Sequence, residues 1–190
     1  MSKLNRKMKK SVDKQLSDRK YKRDEEKRLI VNMTVKDDSN FLSVFSVSDT
    51  PVISMDVAEF IENSTQLIPA GELLTLRIHS NCVDEREQII YEKAIKEYYA
   101  EKYLANEREL KKNNRLSVLL VLVGIMVLAV AIFLEYMANS FIWSEVIDIV
   151  AWVFLWEAVD IRAFCNRSLK SKRLRYLAYM SMKVEYHTVS

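Results

Sequence analysis

Residues Leu116–Leu134 read LSVLLVLVGIMVLAVAIFL, a run of 19 residues without a charged side chain. As a helix it would be roughly 28 Å long at about 1.5 Å per residue, close to the hydrocarbon thickness of a bilayer. A long core helix of a soluble protein usually keeps a polar face, and here only Ser117 and Gly124 interrupt the apolar run. The run therefore predicts a transmembrane helix.

A second apolar segment, assigned to residues 141–161, follows after the short linker 135–140. The linker contains no Lys or Arg, whereas basic residues lie just before the first segment and just after the second. Loops rich in Lys and Arg stay in the cytoplasm. The pattern predicts a two-pass helical hairpin in the cell membrane, with both termini cytoplasmic.

The second segment carries four carboxylates, at Glu145, Asp148, Glu157 and Asp160. An acid at the centre of a spanning helix raises the free energy of membrane insertion by about 2.5–3.5 kcal/mol. Several acids therefore offset most of the favourable insertion energy of the apolar residues. We therefore expect this helix to need the first helix, or partner subunits, to remain in the membrane.

The acids share one side of the predicted second helix with two tryptophans. At about 100° per residue, five side chains fall within an arc of about 120° and the sixth about 60° beyond it. We call this set the acidic face; its members are Glu145, Asp148, Trp152, Trp156 and Asp160 within the arc, and Glu157 beyond it. The opposite arc is wholly apolar.

One interpretation is that the acids merely flank the bilayer, Glu145 at the outer surface and Asp160 at the inner one. Asp148 and Glu157 fit that interpretation less well, because nine residues of helix span only about 13 Å. Rings of acids select cations, and aromatic constrictions can gate. Since two helices cannot enclose a channel, one hypothesis is a homo-oligomer whose acidic face lines a cation-conducting pathway.

A second hypothesis is a non-conducting, membrane-anchored interaction or regulatory protein, whose intramembrane acids serve assembly. A third, an enzyme acting on lipid, would need a nucleophile or a metal pair besides the acids. We expect no catalytic site, no cofactor and no metal site, since His79 and His187 stand apart in the sequence. Cys82 and Cys165 are also far apart, and we expect both to be reduced thiols.

The layout of soluble domain, long helix, span, short linker and acidic second span is similar to that of the mitochondrial calcium uniporter family. That family has a W-D-x-x-E-P signature, whereas Trp143–Asp148 reads WSEVID and has no proline. The resemblance therefore covers the layout and transfers neither calcium selectivity nor residue roles.

Charge is divided sharply along the chain. Segment 1–28 holds 12 Lys/Arg against 5 Asp/Glu, and segment 162–190 holds 7 against 1. The first is expected to be either a disordered tail or a helix on anionic inner-leaflet lipids. The second is expected to be a basic amphipathic helix reaching Tyr186. No nucleic-acid binding is expected, because acids interleave with the bases of segment 1–28.

The chain as a whole is predicted to be a mainly α membrane protein. Residues 29–80 are predicted to form a small cytoplasmic α+β domain. Its order is ββαβ, with a hairpin of strands Leu29–Lys36 and Phe41–Ser48, a helix capped by Ser54 or Asp56, and a strand Leu73–Ser80. Segment 81–115 lacks Gly and Pro. It predicts a long connecting helix, capped by Asn81 or Asp84, that is either a coiled-coil stalk or packed on the β unit.

Overall fold

The computed structural model describes residues 21–47, 49–138 and 141–188. The predicted segment 1–28 lies outside this description up to position 20, as do the last two residues of the predicted linker. The protein is mostly helical, with one long apolar helix and a small three-stranded sheet. In chain order the elements are β1 Leu29–Val35, α1 Met55–Ser64, β2 Leu74–Ser80, α2 Glu85–Ala138, α3 Phe141–Asp160, a π-helical turn Ile161–Cys165, α4 Asn166–Met180 and β3 Lys183–His187.

Two compact units are formed. Unit 1 joins the residues up to Tyr103 with those from Leu174 onward, and unit 2 is Leu104–Arg173. Helix α2 belongs to both, because it continues without a break for 54 residues. The predicted connecting helix and the first apolar segment are therefore one helix.

Helix α2 begins at a reciprocal cap. The Asp84 carboxylate accepts a hydrogen bond from the Glu87 backbone N–H at 2.7 Å, and the Glu87 carboxylate accepts one from the Asp84 N–H at 2.8 Å. This arrangement satisfies amides that the first turn leaves without partners. It selects Asp84 over Asn81 as the cap.

The sheet of unit 1 is parallel throughout, in the order β1-β2-β3. The predicted hairpin is wrong, because β1 pairs with β2, and residues 41–47, the described part of the segment Phe41–Ser48, contain only isolated bridges. Phe41 is buried and stacks on Tyr91 at 4.2 Å, whereas Phe45 is 89% exposed. The buried ring and backbone hydrogen bonds with residues 52 and 54 hold these residues without a ladder, so their strand propensity is not realised.

The predicted continuation of the tail helix to Tyr186 is also wrong. Helix α4 ends at Met180, and residues Lys183–His187 pair with β2 as the third strand. Val184 and Tyr186 pack against the core, while the Glu185 carboxylate on the other face lies 2.9 Å from the Arg77 guanidinium. This alternation is typical of a half-buried strand.

One face of the sheet carries the core of unit 1. Helix α1, the first turns of α2 and the last turn of α4 contribute side chains to one buried cluster. In its middle Tyr99 lies 4.6 Å from Tyr179, ring centre to ring centre, and the Tyr179 and Thr65 hydroxyls are 2.7 Å apart. The start of α2 therefore packs on the β unit, and a coiled-coil stalk is not shown.

Tyr99 makes the stability of unit 1 sensitive to alkali. Burial raises the pKa of its hydroxyl above the ordinary value of 10. The unfolded chain then releases this proton from about pH 10 while the folded chain keeps it, so the free energy of unfolding falls as the pH rises above 10. We expect Tyr99→Phe to make that fall shallower, by up to about 1.4 kcal/mol per pH unit.

Urea titrations at pH 8 to 11, followed by near-ultraviolet circular dichroism, measure this effect. At pH 8 the variant should be about 0.5–1.5 kcal/mol less stable, because the Tyr99 hydroxyl donates to the Ala58 carbonyl at 3.3 Å. Tyr136→Phe is the control, since Tyr136 is 86% exposed. Equal alkaline slopes in wild type and Tyr99→Phe would contradict the assignment.

The other face of the sheet is open and polar. His79 and His187 occupy paired positions of β2 and β3, with ring centres 5.8 Å apart. The two histidines, which stand apart in the sequence, are therefore neighbours in the sheet. Among the residues that the structure describes, no group of three His, Cys, Asp or Glu side chains is arranged to hold a metal ion.

Candidate functional site

Helices α2 and α3 meet within unit 2 along a seam of small residues. Seven residues are nearly two helical turns, so side chains at this spacing lie on one face. The members of this small-residue seam are buried, with Ser117, Gly124 and Ala131 on α2 and Ala151 and Ala158 on α3. Small residues let helix backbones approach closely.

Two contacts show how close the approach is. The Ser117 hydroxyl donates to the Ala158 carbonyl at 3.0 Å. A Cβ at Gly124 would lie 2.9 Å from the Leu155 Cγ and 3.4 Å from the Ala151 carbonyl oxygen. A side chain at position 124 would therefore require the Leu155 side chain to shift.

These contacts also define the antiparallel register of α2 and α3. Ser117 lies opposite Ala158 and Gly124 opposite Ala151, and both pairs of numbers sum to 275 (117 + 158 and 124 + 151). A residue of α3 therefore lies level with the α2 position obtained by subtracting its number from 275. Each step along either helix is about 1.5 Å.

The register gives each acid a level along the apolar run 116–134, whose midpoint is residue 125. Asp148 lies level with position 127, within about one helical turn (~5 Å) of that midpoint. Glu145 lies level with position 130, still inside the run. Glu157 is level with position 118, close to the start of the run, and Asp160 is level with Arg115, just before it.

Most of the acidic face points away from α2, but Asp148 lies at the edge of the seam, because it is seven residues before Leu155, whose side chain lies against Gly124. Trp152 and Trp156 are 65% and 70% exposed, while Ala151 and Ala158 of the same helix are buried at 0% and 2%. Glu145 and Glu157 are exposed, and Asp148 and Asp160 are half-buried. Because α3 is helical from residue 141 to 160, the five residues of the arc lie on one side of the helix, with Glu157 further round.

Part of the apolar arc of α3 has a different role from the one the sequence suggested. Ala151, Leu155 and Ala158 contact or face α2 instead of forming one uninterrupted apolar surface. Ser117 and Gly124 appeared in the sequence only as interruptions of an apolar run. Their seven-residue spacing to each other and to Ala131 was the signal that could have identified the seam.

A polar contact set at the end of the hairpin was also not predicted. The Asn106 side-chain amide donates to the Leu169 carbonyl at 3.0 Å, and that of Asn166 donates to the Asn114 side-chain oxygen at 2.8 Å. Both amides lie between α2 and α4 within unit 2, and Asn106 and Asn166 are buried. They hold α4 to α2 directly after the π-helical turn.

Among the described residues, one helix is long and apolar enough to cross a membrane, and it is α2. Only 17% of its most apolar window is buried, whereas the core helix of a soluble protein would be mostly buried. Helix α3 does not qualify, since four of its 20 residues are carboxylates. The structure thus gives a weak indication of membrane association and does not confirm the hairpin as a membrane element.

Comparison with known proteins adds no assignment. No protein family matches the chain, and neither a curated protein nor a solved structure matches it.

Proposed function

We propose that the apolar part of α2 and the whole of α3 form a transmembrane hairpin, and that several copies assemble with Glu145, Asp148 and Trp152 of the acidic face inward to line a cation-conducting pathway. The observation that carries the proposal is the level of Asp148. It lies within about one turn of the middle of the apolar run, beside the seam, and the described residues leave it only half-buried.

The cost of exposing this carboxylate to lipid supports an assembled state. A charge near the bilayer centre costs at least about 2.5–3.5 kcal/mol when it faces hydrocarbon. Helix α2 shields it only in part, because Asp148 lies at the edge of the seam and stays half-buried. Only further copies, or a partner helix, can give Asp148 and Glu145 a polar surrounding.

Water between copies is the surrounding we propose. Carboxylates lining a watery interior attract cations and repel anions. Glu145 and Asp148 would form the outer acidic ring, Trp152 the narrow part, and Glu157 the inner vestibule. The register supports this order, because it places Trp152 between the two outer acids and Glu157.

The flanking bases support a two-pass orientation with both termini in the cytoplasm of the cell. Lys111, Lys112 and Arg115 precede the apolar run, and Arg162 and Arg167 follow α3. Basic residues at this position are attracted to anionic lipids of the inner leaflet. The sheet of unit 1 would then lie on the cytoplasmic side.

A flux assay combined with a protomer count tests the proposal. The full chain is purified in detergent, its mass is measured by light scattering with the detergent subtracted, and it is reconstituted into liposomes loaded with K⁺ or with Cl⁻. We expect an oligomer and a K⁺ flux at least about tenfold above the Cl⁻ flux. A monomer would overturn the assembly, and an oligomer without cation flux would overturn the pathway.

The open face of the sheet favours a second function, a membrane-anchored interaction or regulatory protein. Polar and charged side chains, among them Arg77 and Glu185, lie there with His79 and His187. Such a face suits a polar partner in the cytoplasm. In that case the intramembrane acids hydrogen-bond between helices, and the assembled protein carries no flux.

A further inference from the structure

A groove beside the small-residue seam lies open on the surface of the hairpin. It measures about 270 Å³ and lies between α2 and α3 within unit 2. Its walls are aliphatic, including Val118, Leu122 and Val159, and Arg162 stands at one end. An apolar groove with one cation at its end fits an apolar side chain that is followed by an anion.

Arg162 is available to such an anion. Its side chain is exposed, and it makes no salt bridge among residues 21–47, 49–138 and 141–188. It begins the basic segment that follows α3. The cation therefore has the exposure and the charge to pair with a carboxylate of another molecule.

Trp156 lies at the level of this groove. By the register of α2 and α3, it is level with position 119, inside the part of α2 that lines the groove, Ser117–Leu122. Copies related by a rotation axis along the membrane normal keep equal residues at equal depth. A Trp156 side chain, 70% exposed, thus meets a neighbour at the depth of that neighbour's groove, whereas Trp152 lies about 6 Å deeper.

The charges match as well. Asp160 lies one turn after Trp156 on the same face of α3, and its level differs from that of Arg162 by two residues, about 3 Å. When Trp156 enters the groove of a neighbour, Asp160 approaches the Arg162 of that neighbour. Opposite charges at nearly the same depth favour one partner and one register.

We propose that the groove is the docking site for a second copy of this chain, with Trp156 inserted and Asp160 paired with Arg162 of that copy. The contact joins two different surfaces and repeats from copy to copy, as in a closed ring. The inference rests on the assembly proposed above and identifies the residues that hold it together.

A matched pair of tryptophan variants tests the insertion. Dissociation of the full-length oligomer in detergent is followed by light scattering on dilution. Trp156→Ala should raise the dissociation constant at least about tenfold, and Trp152→Ala, equally exposed but at another depth, less than about threefold. Equal effects of the two changes would overturn the insertion.

A charge exchange tests the ion pair. Asp160→Arg and Arg162→Asp should each dissociate the oligomer, and the double variant, which restores opposite charges between copies, should recover the wild-type protomer count. Loss of assembly in the double variant as well, with wild-type helix content, would overturn the pairing.

The outcomes distinguish a failure of the docking contact from a failure of the proposed assembly. A monomeric wild type would overturn both. A wild-type oligomer indifferent to Trp156→Ala would overturn only the docking contact. Phospholipid phosphorus that copurifies with the oligomer and is lost in Arg162→Ala, at an unchanged protomer count, would assign the groove to a lipid and would also overturn the inference.

Discussion

Asp148→Asn is expected to lower cation flux through the reconstituted protein by about tenfold or more, with the protomer count unchanged. The side chain keeps its size and loses its charge near the middle of the apolar run. A unit charge 4 Å from a cation contributes about 4 kcal/mol at an effective dielectric constant of 20, and a tenfold change in rate needs only about 1.4 kcal/mol. The neighbouring carboxylates retain part of the attraction.

Glu145→Gln should act in the same direction and add to the effect, because Glu145 lies one turn from Asp148 on the same face. The control is Glu135→Gln, which removes a charge from α2 just beyond the apolar run and should change the flux by less than about twofold. Liposome flux and light scattering are measured on each variant. An unchanged flux in the Asp148→Asn, Glu145→Gln double variant would exclude these acids from the pathway, and a reduced protomer count would show that they hold the assembly together.

Local signals predicted the helices of this protein except for the end of the tail helix, which stops at Met180. The absence of Gly and Pro between Asp84 and Arg115 predicted an unbroken helix, and the structure confirms it as the first part of α2. Ser54 was one of two proposed caps of α1, and its hydroxyl accepts a hydrogen bond from the Val57 N–H at 3.4 Å. Helix starts and breaks are determined by neighbouring residues, so a sequence reports them directly.

The sheet depended on pairing that no local pattern reports. Lys183–His187 pairs with β2 across more than one hundred residues, with α2, α3 and α4 between the two strands. Phe41–Ser48 has more β-branched and aromatic residues, yet its described residues 41–47 join no sheet. Strand propensity describes how well a residue suits a sheet, and the available edge decides which segment joins it.

For the candidate site, the helical period placed the acids on one face but could not assign their depth. Depth follows from register, and the register rests on Ser117 against Ala158 and Gly124 against Ala151. With it, the flanking interpretation suits Asp160, level with Arg115, and does not suit Asp148. Which residues face each other across two helices is a tertiary property, and the 19-residue apolar run alone allows several registers.

That register depends on the small-residue seam. A larger side chain at a seam position should therefore push α2 and α3 apart. Ala131→Leu is expected to lower the free energy of unfolding of unit 2 by about 1–3 kcal/mol, the usual cost of overpacking a closely packed interior. Ala131 is 1% exposed. Ala129→Leu, the same change two residues away at an exposed position, should alter it by less than about 0.5 kcal/mol.

Gly124→Leu should be at least as damaging, since even its Cβ would lie 2.9 Å from Leu155. Gly124→Ala should cost less, because the flexible end of Leu155 can move by a few tenths of an ångström. Unfolding by SDS in mixed micelles, followed by the fluorescence of the three tryptophans of α3, measures all four variants. If Ala131→Leu and Ala129→Leu unfold at the same SDS fraction, the seam does not hold α2 against α3, and the level assigned to Asp148 would have to be abandoned with it.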